Sequence, residues 1–260
     1  VNVEGPVGPL SVLVSGTPET DGTVVLIHPI NTAGSVWSAV MAALGRPSVA
    51  LDLRGHGAST PNGPFTVDGY VDDVVAVLDG LGLATAHLAG GSLGGSIALA
   101  LAARHPDRVL SVTTFGSTLG TGASDADIRA MIDELDAKGT GKYFAELAPL
   151  IVGTAHRDDA RVLAGIREAA GTRPEPVVAA ILRGAFGADI RDLAGRVRAP
   201  VHAVGGTEDP TCPPAMTEEI AAATGGRITL LDGVGHVPML ETPDEVAKII
   251  AAHINEEQLG

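Results

Sequence analysis

Gly90-Gly91-Ser92-Leu93-Gly94 places a serine midway between two glycines, two residues away on either side. A short apolar run, Ala86–Ala89, precedes it, and an apolar helical pattern, Ser92–Ala103, follows. Between a strand and a helix, this spacing makes a tight turn that exposes the serine hydroxyl above the amides of the helix start. Such a hydroxyl can serve as a nucleophile once a base removes its proton. Glycine occupies 34 of 260 positions, so the pattern alone is weak. A capping serine in a glycine-rich connection is the competing reading, and the strand–helix context favours the nucleophile.

Eight histidines compete for the role of base. His236 lies in the turn Asp232-Gly233-Val234-Gly235-His236-Val237, directly after the strand-like run Arg227–Leu231. His56, in Asp52-Leu53-Arg54-Gly55-His56-Gly57, reads as a turn stabiliser. His105 precedes a proline at a helix end, His87 lies within a strand, His202 sits at the wrong end of one and His253 is near the C-terminus. His156 reads as a solvated helix start. Position therefore selects His236. A base also needs a carboxylate to hold its tautomer and offset the imidazolium charge. Glu208 and Asp209 both follow the run Pro200–Val204, and Asp209 is favoured because Pro210 stiffens its loop. The chain order Ser92, Asp209, His236 is that of a nucleophile-elbow hydrolase. An oxyanion needs two donors. The Leu93 amide supplies one. In His28-Pro29-Ile30-Asn31, Pro29 has no N–H, so the Ile30 amide is the other. Asn31 either adds a side-chain contact or caps the turn.

These residues need elements to position them. Strand-like runs at Leu10–Val14, Thr23–Ile27, Ser48–Leu51, Ala86–Ala89 and Val109–Thr114 alternate with helical patterns at Ser35–Leu44, Val67–Leu81 and Ser92–Ala103. This alternation predicts a parallel sheet with helices on both faces. From Thr118 to Ile190 only helical signals appear: Asp125–Ala137, Lys142–Ile151, Asp158–Ala169 and Pro174–Phe186. The rhythm resumes at Pro200–Val204, followed by Pro213–Thr224, Arg227–Leu231 and Pro243–His253. The expected architecture is one α/β domain, with a core at 1–117 and 191–260 and a helical cap at 118–190. A cap emerging after Val109–Thr114 sits over the strand ends where open sheets bind ligands.

Composition removes several alternatives. Apolar residues make up 45 % and charged residues 18 %, with a mean hydropathy of +0.27, so a disordered chain is excluded. A net charge of −14 repels phosphate backbones and anionic lipid, and neither nucleic acid nor membrane is an expected partner. The lone Cys212 excludes an internal disulfide scaffold. No apolar run approaches the roughly 20 residues of a membrane span, and Val1–Gly8 does not read as a secretory leader. A cytoplasmic location is the expectation. The candidate residues form no Cys/His cluster with metal-ligand spacing, and no metal or cofactor is expected. Assembly with further copies of the chain is compatible with the sequence.

Taken together, His28-Pro29, Asp52–Gly57, Gly90–Gly95, Gly205–Asp209, and Gly235-His236 with Glu241-Thr242-Pro243 resemble the α/β-hydrolase fold family. The likeness covers nearly the whole chain outside the cap. It is greatest to compact bacterial enol-lactonases, small carboxylesterases and cofactor-free haloperoxidases. The resemblance implies Ser92 as nucleophile, His236 as base, Asp209 as its orienting acid, and cleavage of a small ester or lactone without a cofactor. Relatives that open epoxides or displace halide use aspartate at the nucleophile position, so Ser92 argues against both chemistries. Pro29 departs from the family's usual glycine, and Gly91 stands where many relatives carry a larger side chain. The same residues suit three alternatives: a carbon–carbon bond hydrolase of a diketone, a haloperoxidase or perhydrolase, and a low-turnover ligand receptor. The expected substrate lining is Asn31, Trp37, Phe115, Phe144, Phe186 and Val237. Core packing competes for the aromatics, which are only 3 % of the chain. Arg129, Arg157 and Arg161 in the cap read as salt-bridge formers, or as holders of a substrate carboxylate.

Overall fold

A computed structural model describes residues 1–171 and 173–259. Its strands are β1 (Asn2–Gly5), β2 (Gly8–Ser15), β3 (Val24–Ile27), β4 (Ser48–Leu51), β5 (Ala86–Gly91), β6 (Val109–Phe115), β7 (Val201–Gly206) and β8 (Arg227–Leu231). The core helices are α1 (Ser38–Leu44), α2 (Val67–Gly80) and α3 (Leu93–Arg104). Five more, α4 (Asp125–Lys138), α5 (Thr140–Leu147), α6 (Ala160–Ala170), α7 (Glu175–Phe186) and α8 (Arg191–Ala194), fall between β6 and β7. Helix α9 (Pro214–Thr224) follows β7, and α10 (Pro238–Glu241) and α11 (Pro243–Leu259) follow β8.

The strands form one sheet in the order β1-β2-β4-β3-β5-β6-β7-β8. From β4 to β8 every neighbouring pair is parallel, and β1 and β2 close one edge antiparallel. Val24–Ile27 is buried at every residue, as is Ser48–Leu51. Strands covered on both faces read as unbroken apolar runs. Helix α3 is buried from Leu93 through Ala102 for the same reason, lying against the sheet beside α2. In α2, Val67, Val71, Val74 and Leu78 face the core at helical spacing, and the Thr66 hydroxyl caps the helix by accepting from the Gly69 amide.

The expected elements recur with shifted ends. The helix anticipated at Ser35 opens as a 3₁₀ turn over Gly34–Trp37 and becomes α-helical at Ser38. The cap helix anticipated at Lys142–Ile151 begins at Thr140 and tightens into a 3₁₀ turn at Ala148–Leu150. Strand β1 carries little sequence signal, because Val3 is its only buried residue. Helices α4 to α7 share a small core of their own, which includes Ile128, Leu135, Phe144, Val178 and Leu182. The two ends of this insertion meet at a neck, where Gly120 bridges Asp189 and the Ile190 amide donates to the Leu119 carbonyl at 2.7 Å.

Three histidines lie inside the sheet–helix layer. His87 Nδ1 meets Ser111 Oγ at 2.8 Å, His202 Nε2 meets Thr229 Oγ1 at 2.9 Å and His253 Nδ1 meets Thr113 Oγ1 at 3.1 Å. Burial dominates their titration and lowers each pKa to about 4. The unfolded chain takes up these protons near pH ~6.5 while the folded chain refuses them. Stability contributed by the three is therefore complete above that pH and falls as pH drops towards 4. The thermal midpoint should begin to fall just below neutrality, above the carboxylate range. A midpoint constant from pH 7 to 5 would contradict this.

Candidate active site

Strand β5 runs straight into α3 through Ser92, whose backbone is left-handed (φ 50, ψ −121). A non-glycine residue held there costs about 1–3 kcal/mol, so the surroundings must enforce it. The Ser92 amide donates to the Phe115 carbonyl at 2.8 Å. The two motif glycines allow the approach: a Cβ at Gly90 would lie 2.3 Å from the Gly94 backbone, and one at Gly94 would lie 2.2 Å from the Ile27 carbonyl. The Ser92 side chain lines a cavity of about 50 Å³ together with Leu93, Ser96, Leu119, Ile190 and Cys212.

Asp209 and His236 meet as expected. Nδ1 of His236 donates to Asp209 Oδ2 at 2.9 Å and lies 3.1 Å from Oδ1. Oδ1 also accepts the Thr211 and Cys212 amides, each at 2.8 Å. The carboxylate is thus oriented by N–H groups, and as the acceptor of the Nδ1 proton it fixes the imidazole tautomer with Nε2 free to accept. Gly116 (φ +52) leaves room for the pair, since a Cβ there would lie 2.8 Å from Asp209 Oδ2. Glu208, the rival carboxylate, instead accepts the Thr154 amide from the insertion. Among the described residues, Ser92 Oγ has no hydrogen-bond partner, His236 included.

The loop after β3 depends on two buried histidines. His28 Nδ1 donates to the Pro29 carbonyl at 2.7 Å, and its Nε2 accepts the Leu53 amide at 3.1 Å. His56 Nδ1 donates to the Arg54 carbonyl at 3.0 Å, and its Nε2 accepts the Asn31 amide at 3.1 Å. An imidazolium cannot accept, so both rings must be neutral. Burial pushes His28 down to about 4 and His56 well below its ordinary value. Asn31 is left-handed (φ 58), which turns the chain so that Ile30 lines the space beside Ser92. Neither the Ile30 amide nor the Leu93 amide has an acceptor among the described residues. Both residues line the cavity that Ser92 lines.

A second, larger cavity of about 190 Å³ adjoins the first. Of the residues expected to line a substrate pocket, Asn31, Phe144, Phe186 and Val237 line this cavity, together with His236 and with Met131, Tyr143, Leu147, Ile166 and Leu182 of the inserted helices. Trp37 and Phe115 do not. Both are fully buried in the core, where their rings meet edge to face at 6.1 Å. With so few aromatics, the core beneath the sheet edge claims these two large side chains. Arg129, Arg157 and Arg161 line neither cavity. Cys212 lines the smaller one, and burial raises its thiol pKa and keeps it protonated.

Glu241 has a role that sequence reasoning did not find. It is buried, its Oε2 accepts the Gly153 and Gly235 amides at 2.8 and 2.9 Å, and its Oε1 accepts the Val237 amide at 3.1 Å. It thereby clamps both sides of His236 and ties them to the insertion. The sequence signal was Glu241-Thr242-Pro243, which reads locally only as a helix start.

The sequence profile of the alpha/beta hydrolase family matches residues 24–249, and the chain belongs to that family. It is 29 % identical over 242 residues to a pimeloyl-[acyl-carrier protein] methyl ester esterase of Neisseria meningitidis, covering 89 % of this chain and 76 % of that protein. It is 25 % identical over 252 residues to the karrikin insensitive 2 receptor CA of Petunia hybrida, covering 90 % and 92 %. The solved enol-lactonase of Burkholderia xenovorans superposes with a TM-score of 0.87 at 27 % identity, over 95 % of this chain and 96 % of that one.

Glu241→Gln should leave a folded protein with weakened hydrolysis of p-nitrophenyl esters. The amide nitrogen cannot accept, so at least one clamping bond is lost. A misplacement of His236 on the order of 1 Å costs up to about 100-fold in rate. Unchanged kcat would contradict the clamp.

Proposed function

We propose that the protein is a serine hydrolase that cleaves a small carboxylic ester or lactone through an acyl-enzyme on Ser92. The observation that carries this reading is the buried Asp209–His236 pair beside a serine held in a left-handed turn. On substrate binding the Ser92 hydroxyl rotates to His236 Nε2. Catalytic hydrogen bonds are often long before substrate arrives and tighten in the complex. Ser92 Oγ then attacks the carbonyl carbon as His236 takes its proton. The Ile30 and Leu93 amides hold the oxyanion, Asp209 offsets the imidazolium, and His236 protonates the leaving alkoxide. A water that gives its proton to His236 hydrolyses the acyl-enzyme and restores the serine. Every step uses groups of this chain and water. The helices of 118–190 act as the cap over the site. The free thiol of Cys212 suits a reducing compartment such as the cytoplasm.

The receptor-named relative supports a second reading, in which the same site binds a ligand and barely turns over. The intact acid–base pair favours catalysis. A fluorophosphonate should label Ser92, and Ser92→Ala should lower ester turnover by about three orders of magnitude or more. Asp209→Asn removes the acceptor that fixes the tautomer and should cost roughly 10⁴ in kcat. Ester hydrolysis that survives Ser92→Ala would end the serine reading. Tight ligand binding with labelling but no steady turnover would favour the receptor.

A further inference from the structure

The two cavities beside the candidate nucleophile are unequal: Ser92 lines the smaller, His236 lines the larger, and core and inserted residues contribute to both. We infer that the preferred substrates are open-chain esters joining a short acyl group to a larger, uncharged, apolar alcohol. The acyl group takes the smaller chamber and the alcohol the larger. This deepens the serine-hydrolase reading and rests on it.

The direction follows from where each reacting atom must go. The acyl carbon bonds to Ser92 Oγ with its oxygen turned to the Ile30 and Leu93 amides. The bond to the alkoxy oxygen breaks, and that oxygen receives the serine's proton from His236 Nε2, so the alcohol must leave on the histidine's side. Ser92 and Leu93 line the smaller chamber and not the larger. His236 and Val237 line the larger chamber and not the smaller. Ile30, Phe186 and Thr211 border both and form the partition. Water then brings its hydroxyl to the acyl carbon, and its proton returns to Ser92 through His236.

Size and stiffness point the same way. A cavity of about 150 Å³ accepts benzene. The larger chamber, at about 190 Å³, exceeds that, and the smaller one, at about 50 Å³, is a third of it. The smaller chamber also lies in rigid ground. Ser96 Oγ donates to the Thr118 carbonyl at 2.6 Å, Leu119 is bonded to Ile190 across the neck, and Ser96, Leu119, Ile190 and Cys212 are all buried. The larger chamber is walled by Met131, Leu147, Leu182 and neighbours from the inserted helices, whose flexible apolar side chains can adjust. No Asp, Glu, Lys or Arg lines either chamber among the described residues. A charged substrate arm would lose its hydration there without a partner.

Constitutional isomers test this directly, because they match in mass and lipophilicity. Hexyl acetate and ethyl hexanoate form one pair, benzyl acetate and methyl phenylacetate another. The acetates should exceed their isomers in kcat/KM by at least about tenfold, the discrimination a closed pocket gives against an extra methylene. Ile190→Ala, which enlarges the smaller chamber, should narrow that ratio. Equal rates, a preference for the long acyl group, or turnover of p-nitrophenyl acetate with neither isomer accepted would overturn the assignment. Failure of the underlying reading looks different: Ser92 stays unlabelled by fluorophosphonate and no ester is hydrolysed, and the assignment falls with it.

Discussion

A loop that leaves a buried strand end carries amides that water cannot reach, and each must find an acceptor. In this protein the acceptors are buried side chains, some close along the chain and some distant. Asp52 takes the Gly34 and Ala58 amides, His28 takes Leu53, His56 takes Asn31, Asp209 takes Thr211 and Cys212, and Glu241 takes Gly153, Gly235 and Val237. These bonds replace solvent with fixed dipoles: they join the loop after β3 to the loop after β4, join the loop after β8 to the insertion, and brace the loop after β7. Glu241 and the Ile151 carbonyl both bind the His236 loop and so tie it to the insertion.

This arrangement explains what was legible in the sequence and what was not. The run Thr23–Ile27 stood out because a strand covered on both faces is apolar nearly throughout, and Val109–Thr114 because it is short and rich in β-branched residues. Ser92 stood out because its turn admits little beyond glycine on either side. Asp209 and His236 were separable from other acids and histidines because each follows a strand end, a position visible in chain order. His56 read as a turn stabiliser, and it does hold the loop after β3. The roles of His28 and Glu241 were hidden, because each acts on backbone amides, His28 on Leu53 and Glu241 on Gly153 as well as nearer ones, and a backbone amide leaves no residue-type signature. Trp37 and Phe115 misled for a related reason: an aromatic near a site has the same letters whether it lines a pocket or fills the layer beneath. Strand β1, with one buried side chain, gave the alternation pattern too little to register.

Core and insertion contribute to both cavities. The core side of the smaller one carries Ile30 and Leu93, whose fixed amides can meet a developing oxyanion without reorganising. Residues of 118–190 supply mostly apolar walls to both. The Neisseria relative is named for a methyl ester, a substrate whose bulk lies on the acyl side. The chamber sizes around Ser92 and His236 describe the opposite distribution of bulk, so membership of one family leaves the choice of substrate to the inserted helices and the neck.

The central claim is that Ser92, His236 and the two unengaged amides converge on one reacting centre. A crystal structure of the protein after reaction with a small alkyl fluorophosphonate tests it most directly. The account predicts phosphorus bonded to Ser92 Oγ, one phosphoryl oxygen within hydrogen-bonding distance of both the Ile30 and Leu93 amides, and His236 Nε2 facing the site of the departed group. An adduct whose oxygen points away from those amides, or an imidazole that remains out of reach of it, would contradict the account.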